Sequence, residues 1–148
     1  MVGRVWIGHH TLFRYLKGID QRLIALNLVF LAFVAFLPYA TAVLGDWGNT
    51  GAGAAFYAAS MAAVGLAQGA LWYHARHAGL TSSAMTPDLY RAYVLFMMTA
   101  PAVFLVSIPV ALLSPTVAEL MWGGIALTLI LLRRRVQSAL SRSHPSPA

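Results

Sequence analysis

The sequence contains no cysteine, which excludes disulfide frameworks, thiolate metal sites and a cysteine nucleophile, and leaves the redox compartment open. It is equally poor in charge: 9% of its residues are charged, against about 25% in soluble domains. Its four acidic residues, Asp20, Asp46, Asp88 and Glu119, are scattered over loops and helix ends. Without paired carboxylates or a Ser/His/Asp cluster, acid/base or nucleophilic catalysis has no basis, and no enzyme is expected. Missing heptads and a missing Gly period exclude a coiled coil and a collagen-like chain, and the scarcity of charge excludes disorder. What the chain has instead is apolar bulk. Its 148 residues are 59% hydrophobic, with a mean hydropathy of +0.71, a composition that a soluble globular domain does not carry.

Four charge-poor apolar stretches stand out: 23–44, 52–73, 92–113 and 116–132. Each approaches the roughly 20 residues that a bilayer core demands of a helix. None alternates as a barrel strand does, and open sheet edges cannot face lipid. The expected fold is therefore all-α, a membrane-embedded helical bundle over residues 1–135 followed by a Ser/Pro-rich tail at 136–148.

The basic residues confirm the order of the spans. Arg4, Arg14, Lys17 and Arg22 precede the first, Arg76 and Arg91 flank the second connection, and Arg133, Arg134, Arg135 and Arg142 follow the last. The other two connections hold no Lys or Arg. By the positive-inside rule the basic face is cytoplasmic and both chain ends lie inside, in the cell membrane if the source is bacterial. The net charge of +6 is thus a topology signal and needs no nucleic-acid partner; the partner it implies is the lipid bilayer.

Within this frame Trp47 at the outer mouth, and Trp72, Tyr73 and Tyr90 near the inner one, read as interfacial anchors. The second span is crowded with small residues. Gly65 and Gly69 at GxxxG spacing, with Ala58/Ala62 and Ala59/Ala63, allow close backbone approach, so this helix is expected to pack against protein. Pro101 and Pro109 lie inside the third span, where each removes a backbone donor and favours a kink. Gln68, Thr99, Ser107 and Thr128 read as contacts between helices.

Residues 1–20 are not a signal peptide, because Arg4, His9 and His10 interrupt any apolar run. Trp6, Ile7, Leu12, Phe13, Leu16 and Ile19 recur at helical spacing, as in the cytoplasmic end of a helix that precedes the first span. His9 and His10, being neighbours, lie about 100° apart on a helix and cannot both ligate one ion from the same side. His74 and His77, at i and i+3, could clamp a metal, but at the wet end of a helix beside Arg76 they read as solvated interfacial histidines. A haem would need histidines paired within the bundle. No cofactor and no metal is expected. Asn27, within the first span, must find a hydrogen-bond partner or incur a cost on the order of a few kcal/mol.

The run Trp6, His9, His10, Leu12, Phe13, followed by Asp20, then Leu26-Asn27-Leu28, Phe36-Leu37-Pro38 and Thr41, resembles the potassium channels of endosomes and lysosomes and their bacterial relatives. There the pattern spans the end of the second helix and all of the third. The resemblance implies a homo-oligomer passing potassium passively along a pore lined by the family's first helix, which carries a Phe-Ser-Asp motif. It also implies that Trp6, His9 or His10, and Asn27 form a polar socket that fixes this pore helix without touching the ion. No Phe-Ser-Asp occurs in this sequence, and there is no TVGYG filter loop. The start at Met1, inside what reads as a helix, favours a truncated or mis-assigned beginning over a degenerate member. The alternative function is a non-conducting membrane scaffold that binds another membrane protein through its small-residue helix.

Overall fold

The computed structural model describes residues 9–124, and these are helical almost throughout. Three long helices follow one another: α1 (Gln21–Trp47), α2 (Gly51–His77) and α3 (Pro87–Leu113), each of 27 residues. At 1.5 Å per residue each is about 40 Å long, more than the roughly 30 Å of a hydrocarbon core. All three are long and apolar enough to cross a membrane, so the chain is an integral membrane protein. Residues 9–14 are helical ahead of α1, and residues 115–124 are helical after α3.

Local chemistry sets each boundary. Asp20, Thr50 and Thr86 sit in extended backbone just before the three helices, and their side chains accept from the amides of Leu23 (2.7 Å), Gly53 (3.1 Å) and Leu89 (3.3 Å), satisfying donors that the first turn leaves free. Pro87 occupies the first turn of α3, where a missing N–H costs nothing. Beyond the end of α2 the chain turns at Gly79, whose φ of 66° suits a residue without a Cβ.

The helices overrun the stretches read from the sequence by up to five residues at one or both ends. A charge-free criterion stops at Arg22, His74 and Arg91, whereas the hydrogen-bond ladder continues into the polar layer. The fourth stretch, 116–132, is helical as far as residue 124; its remainder, like Thr128 and the tail, lies outside the described residues.

The α2 helix lies between its neighbours and packs on both. Its buried side contributes Ala58, Met61, Ala62, Val64, Leu71, Trp72 and Ala75 to a core completed by Leu12, Leu23, Phe30, Leu37, Met85 and Phe104. A smaller cluster of Ala54, Ala111 and Ala118 brings the segment after α3 against α2 at the opposite end. Two expectations need correction here. Trp72 is not an interfacial anchor: it is fully buried and stacked on Tyr93 (5.6 Å, 16°), whereas Trp47 and Tyr73 remain 62% exposed. The periodicity from Leu12 to Ile19 is not one helix either. It stops after residue 14, with Leu12 buried and Ile19 60% exposed, because Asp20 is taken as a helix cap and the backbone between them pairs with another segment.

Candidate functional site

That pairing builds the end of the molecule where α1 begins. The amide of Lys17 donates to the carbonyl of Leu80 (2.9 Å) and that of Ser82 to the carbonyl of Tyr15 (2.7 Å), making a short antiparallel bridge between Leu16 and Thr81. The N-terminal segment is thereby fastened to the α2–α3 connection. Thr81 and Met85 are buried beneath this junction.

Two side-chain contacts reinforce it. His9 Nε2–H donates to Asn27 Oδ1 at 2.7 Å, and the imidazole lies flat on Phe30 (5.1 Å, 6°) with Phe13 at 4.6 Å. The amide of Asn27 thus has its oxygen satisfied two turns inside α1. His10 is exposed, as the angle between adjacent helical residues requires. Trp6, the remaining member of the expected socket, lies outside the described residues.

The second contact was not legible in the sequence. His74 Nε2, in the last turn of α2, stands 2.8 Å from Asp20 Oδ2 and 3.0 Å from Oδ1. Asp20 therefore caps α1 and ties it to α2 at once. Its carboxyl is held below its ordinary value of 3.8, chiefly by the Leu23 amide; partial desolvation opposes this, and the hydrogen bond and charge of His74 and the charge of Arg22 add to it. The reading of Asp20 as a scattered acid and of His74 as solvated fails because their partnership spans 54 positions. His77 Nδ1–H donates to the carbonyl of Tyr73 at 2.9 Å, so the two histidines take separate partners. No group of three potential metal ligands occurs among the described residues.

Polar residues in the span interiors are used locally. Ser107 donates to the carbonyl of Phe104 and accepts from Trp122 Nε1, both at 2.8 Å, which joins α3 to the following segment. Thr99 instead bonds the carbonyl of Leu95 in its own helix (2.9 Å), a correction to its expected role between helices. Gln68 is buried. Gly65 lies directly against Pro101, so that a Cβ would collide with that ring, and a Cβ on Gly69 would lie 2.8 Å from Met98 Cε. Helix α3 runs unbroken through Pro101 and Pro109.

Against this geometry stand the comparisons with known proteins. Residues 1–38 match the family model of the endosomal/lysosomal potassium channel TMEM175. The match contains His9, Asp20 and Asn27, and ends at Pro38. The chain is also similar to a potassium channel of Streptomyces collinus, 36% identical over 83 residues, which cover 53% of this chain and 40% of that relative. It therefore spans less than half the length of the relative it matches.

Proposed function

We propose that this chain is part of a potassium-selective channel, in which its helices form a scaffold around the pore in a homo-oligomer. The observation that carries this reading is the coincidence of the family match with the His9–Asn27 contact: the matched residues 1–38 include both partners of a hydrogen bond joining the N-terminal segment to the interior of α1. A polar group within a span is costly unless it is satisfied, and such groups sit where a membrane protein works. The residues that the resemblance assigns to a pore-supporting socket are the ones that could hold a neighbouring helix by hydrogen bonds.

In this reading four helices span the bilayer, the last beginning at residue 115, with the basic end and both chain ends in the cytoplasm. Potassium passes down its gradient, shedding water at an apolar constriction, and no catalytic group takes part. Gly65 and Gly69 set the spacing of α2 and α3, while Pro101 and Pro109 shape α3.

The test is ion flux. Reconstituted into vesicles together with a pore helix of the Phe-Ser-Asp type, the protein is expected to pass potassium faster than sodium under equal gradients, and flux equal to that of vesicles holding the pore helix alone contradicts the reading. A chain that binds another membrane protein without conducting, the scaffold alternative, would give that null result.

A further inference from the structure

We propose that the basic end of this bundle is a binding surface for anionic lipid headgroups, with Arg76 and Arg91 at its centre. It rests on the reading of the helices as membrane spans, but not on potassium conduction.

The first support is a shortage of counter-charge. The sequence has four carboxylate side chains, and all are among the described residues. Asp46 is near the end of α1 farthest from His74, and Glu119 lies beside Gly48 at that same end. Asp20 is engaged by the Leu23 amide and His74. Asp88 stands in the first turn of α3, where the helix dipole favours a negative charge. Among the described residues the ion pair is His74–Asp20, and no Lys or Arg takes part in one. Arg14, Lys17, Arg76 and Arg91 therefore carry their charges without a carboxylate in ion-pair contact, and Arg22 acts on Asp20 only from beyond that distance.

The second support is convergence. Lys17 is held to Leu80 by its backbone, Arg22 lies in the first turn of α1 beside Asp20, Arg76 in the last turn of α2 and Arg91 in the first turns of α3. The contacts Asp20–His74 and Leu16–Thr81 bring these segments together, so charges from four parts of the chain face one layer.

The third is depth. The guanidinium of Arg76 lies over the ring of Tyr90, 5.7 Å from its centroid, and Tyr73 on the same turn of α2 is exposed. Aromatic rings with polar tips settle at the headgroup level, and cations stacked beside them meet the lipid phosphates. A zwitterionic headgroup offers these charges no net attraction, whereas an anionic one does. Each basic residue near the surface is expected to favour anionic lipid about fivefold.

The protein is reconstituted into vesicles of equal phosphatidylcholine and phosphatidylglycerol and extracted in mild detergent, and the retained lipids are counted by native mass spectrometry. Wild type is expected to retain phosphatidylglycerol in preference, and Arg76→Gln and Arg91→Gln each to lower that preference about fivefold at unchanged helix content. A second variant, Arg91→Gln with Asn49→Arg, restores the net charge at the opposite end and should remain as low as Arg91→Gln alone. Equal retention of the two lipids by wild type, an unchanged ratio in the glutamine variants, or full recovery in the relocated-charge variant overturns the proposal. Extraction of the wild-type chain from membranes by alkaline carbonate overturns the spanning reading itself, and this proposal with it.

Discussion

The basic end of the bundle and the interface between α2 and α3 are held together by different means. At the basic end, segments far apart in the chain meet through hydrogen bonds: His9 with Asn27, His74 with Asp20, and the backbone of residues 15–17 with that of residues 80–82. Between α2 and α3 it is missing side chains that matter, since Gly65 and Gly69 let Pro101 and Met98 come close. Lipid tails are as apolar as leucine, so burial alone does not draw helices together within a bilayer, and close packing must supply the attraction. Where headgroups and water reach, polar groups can be exchanged and remade. One region is therefore a fixed spacer and the other an adjustable junction.

The strongest way to break this contrast is to disturb the packed side. Trp72→Ala removes a fully buried ring from the core and is expected to cost about 3 kcal/mol or more, read as a lowered thermal midpoint in detergent. Gly65→Leu forces a side chain against Pro101, whose ring cannot rotate away, and should cost about 2 kcal/mol and resist rescue by milder detergents. Gly45→Ala is its control. Nothing lies near the Cβ it would add, and helix propensity alone should make it neutral or stabilising by up to about 1 kcal/mol.

The polar side should respond more weakly. A double-mutant cycle between His9→Phe and Asn27→Leu is expected to return a coupling of about 1 kcal/mol or less, and a value of zero would remove the contact from the account. Acid sharpens the comparison further. Because the folded state holds the Asp20 carboxyl below its ordinary value of 3.8, its contribution is complete above that value and is lost as pH falls through the lowered one. Thermal midpoints should therefore fall in strongly acidic buffer, and Asp20→Asn, which keeps a capable helix cap, should flatten that dependence. An unaltered acid profile would mean that the carboxylate is not stabilised by its neighbours.

The two regions also differ in how far the sequence betrays them. Apolar runs, the Gly65/Gly69 spacing and the placement of arginine are local or periodic signals, and from them the helices and the packed face could be read. Asn27 announced its need for a partner, because an amide in an apolar span has few ways to be satisfied. The His74–Asp20 contact gave no such signal, since each residue sits at a polar helix end where solvent would suffice. The break after residue 14 was hidden by an apolar periodicity that continues to Ile19, although Gly18 and a capping Asp20 stood there as signs of a boundary. Trp72 was misplaced because depth along a helix does not reveal which side faces the protein. The arrangement of Trp6 toward this junction is a matter of the resemblance alone.

The central proposal is that the His9–Asn27 contact supports a path for potassium by holding a neighbouring pore helix. It is tested most directly by potassium flux into vesicles in which wild-type or Asn27→Leu protein, matched in insertion and helix content, is reconstituted with a pore helix of the Phe-Ser-Asp type. The account predicts measurable flux for wild type and a fall toward the rate of the pore helix alone for the variant; equal flux from the two proteins would contradict it.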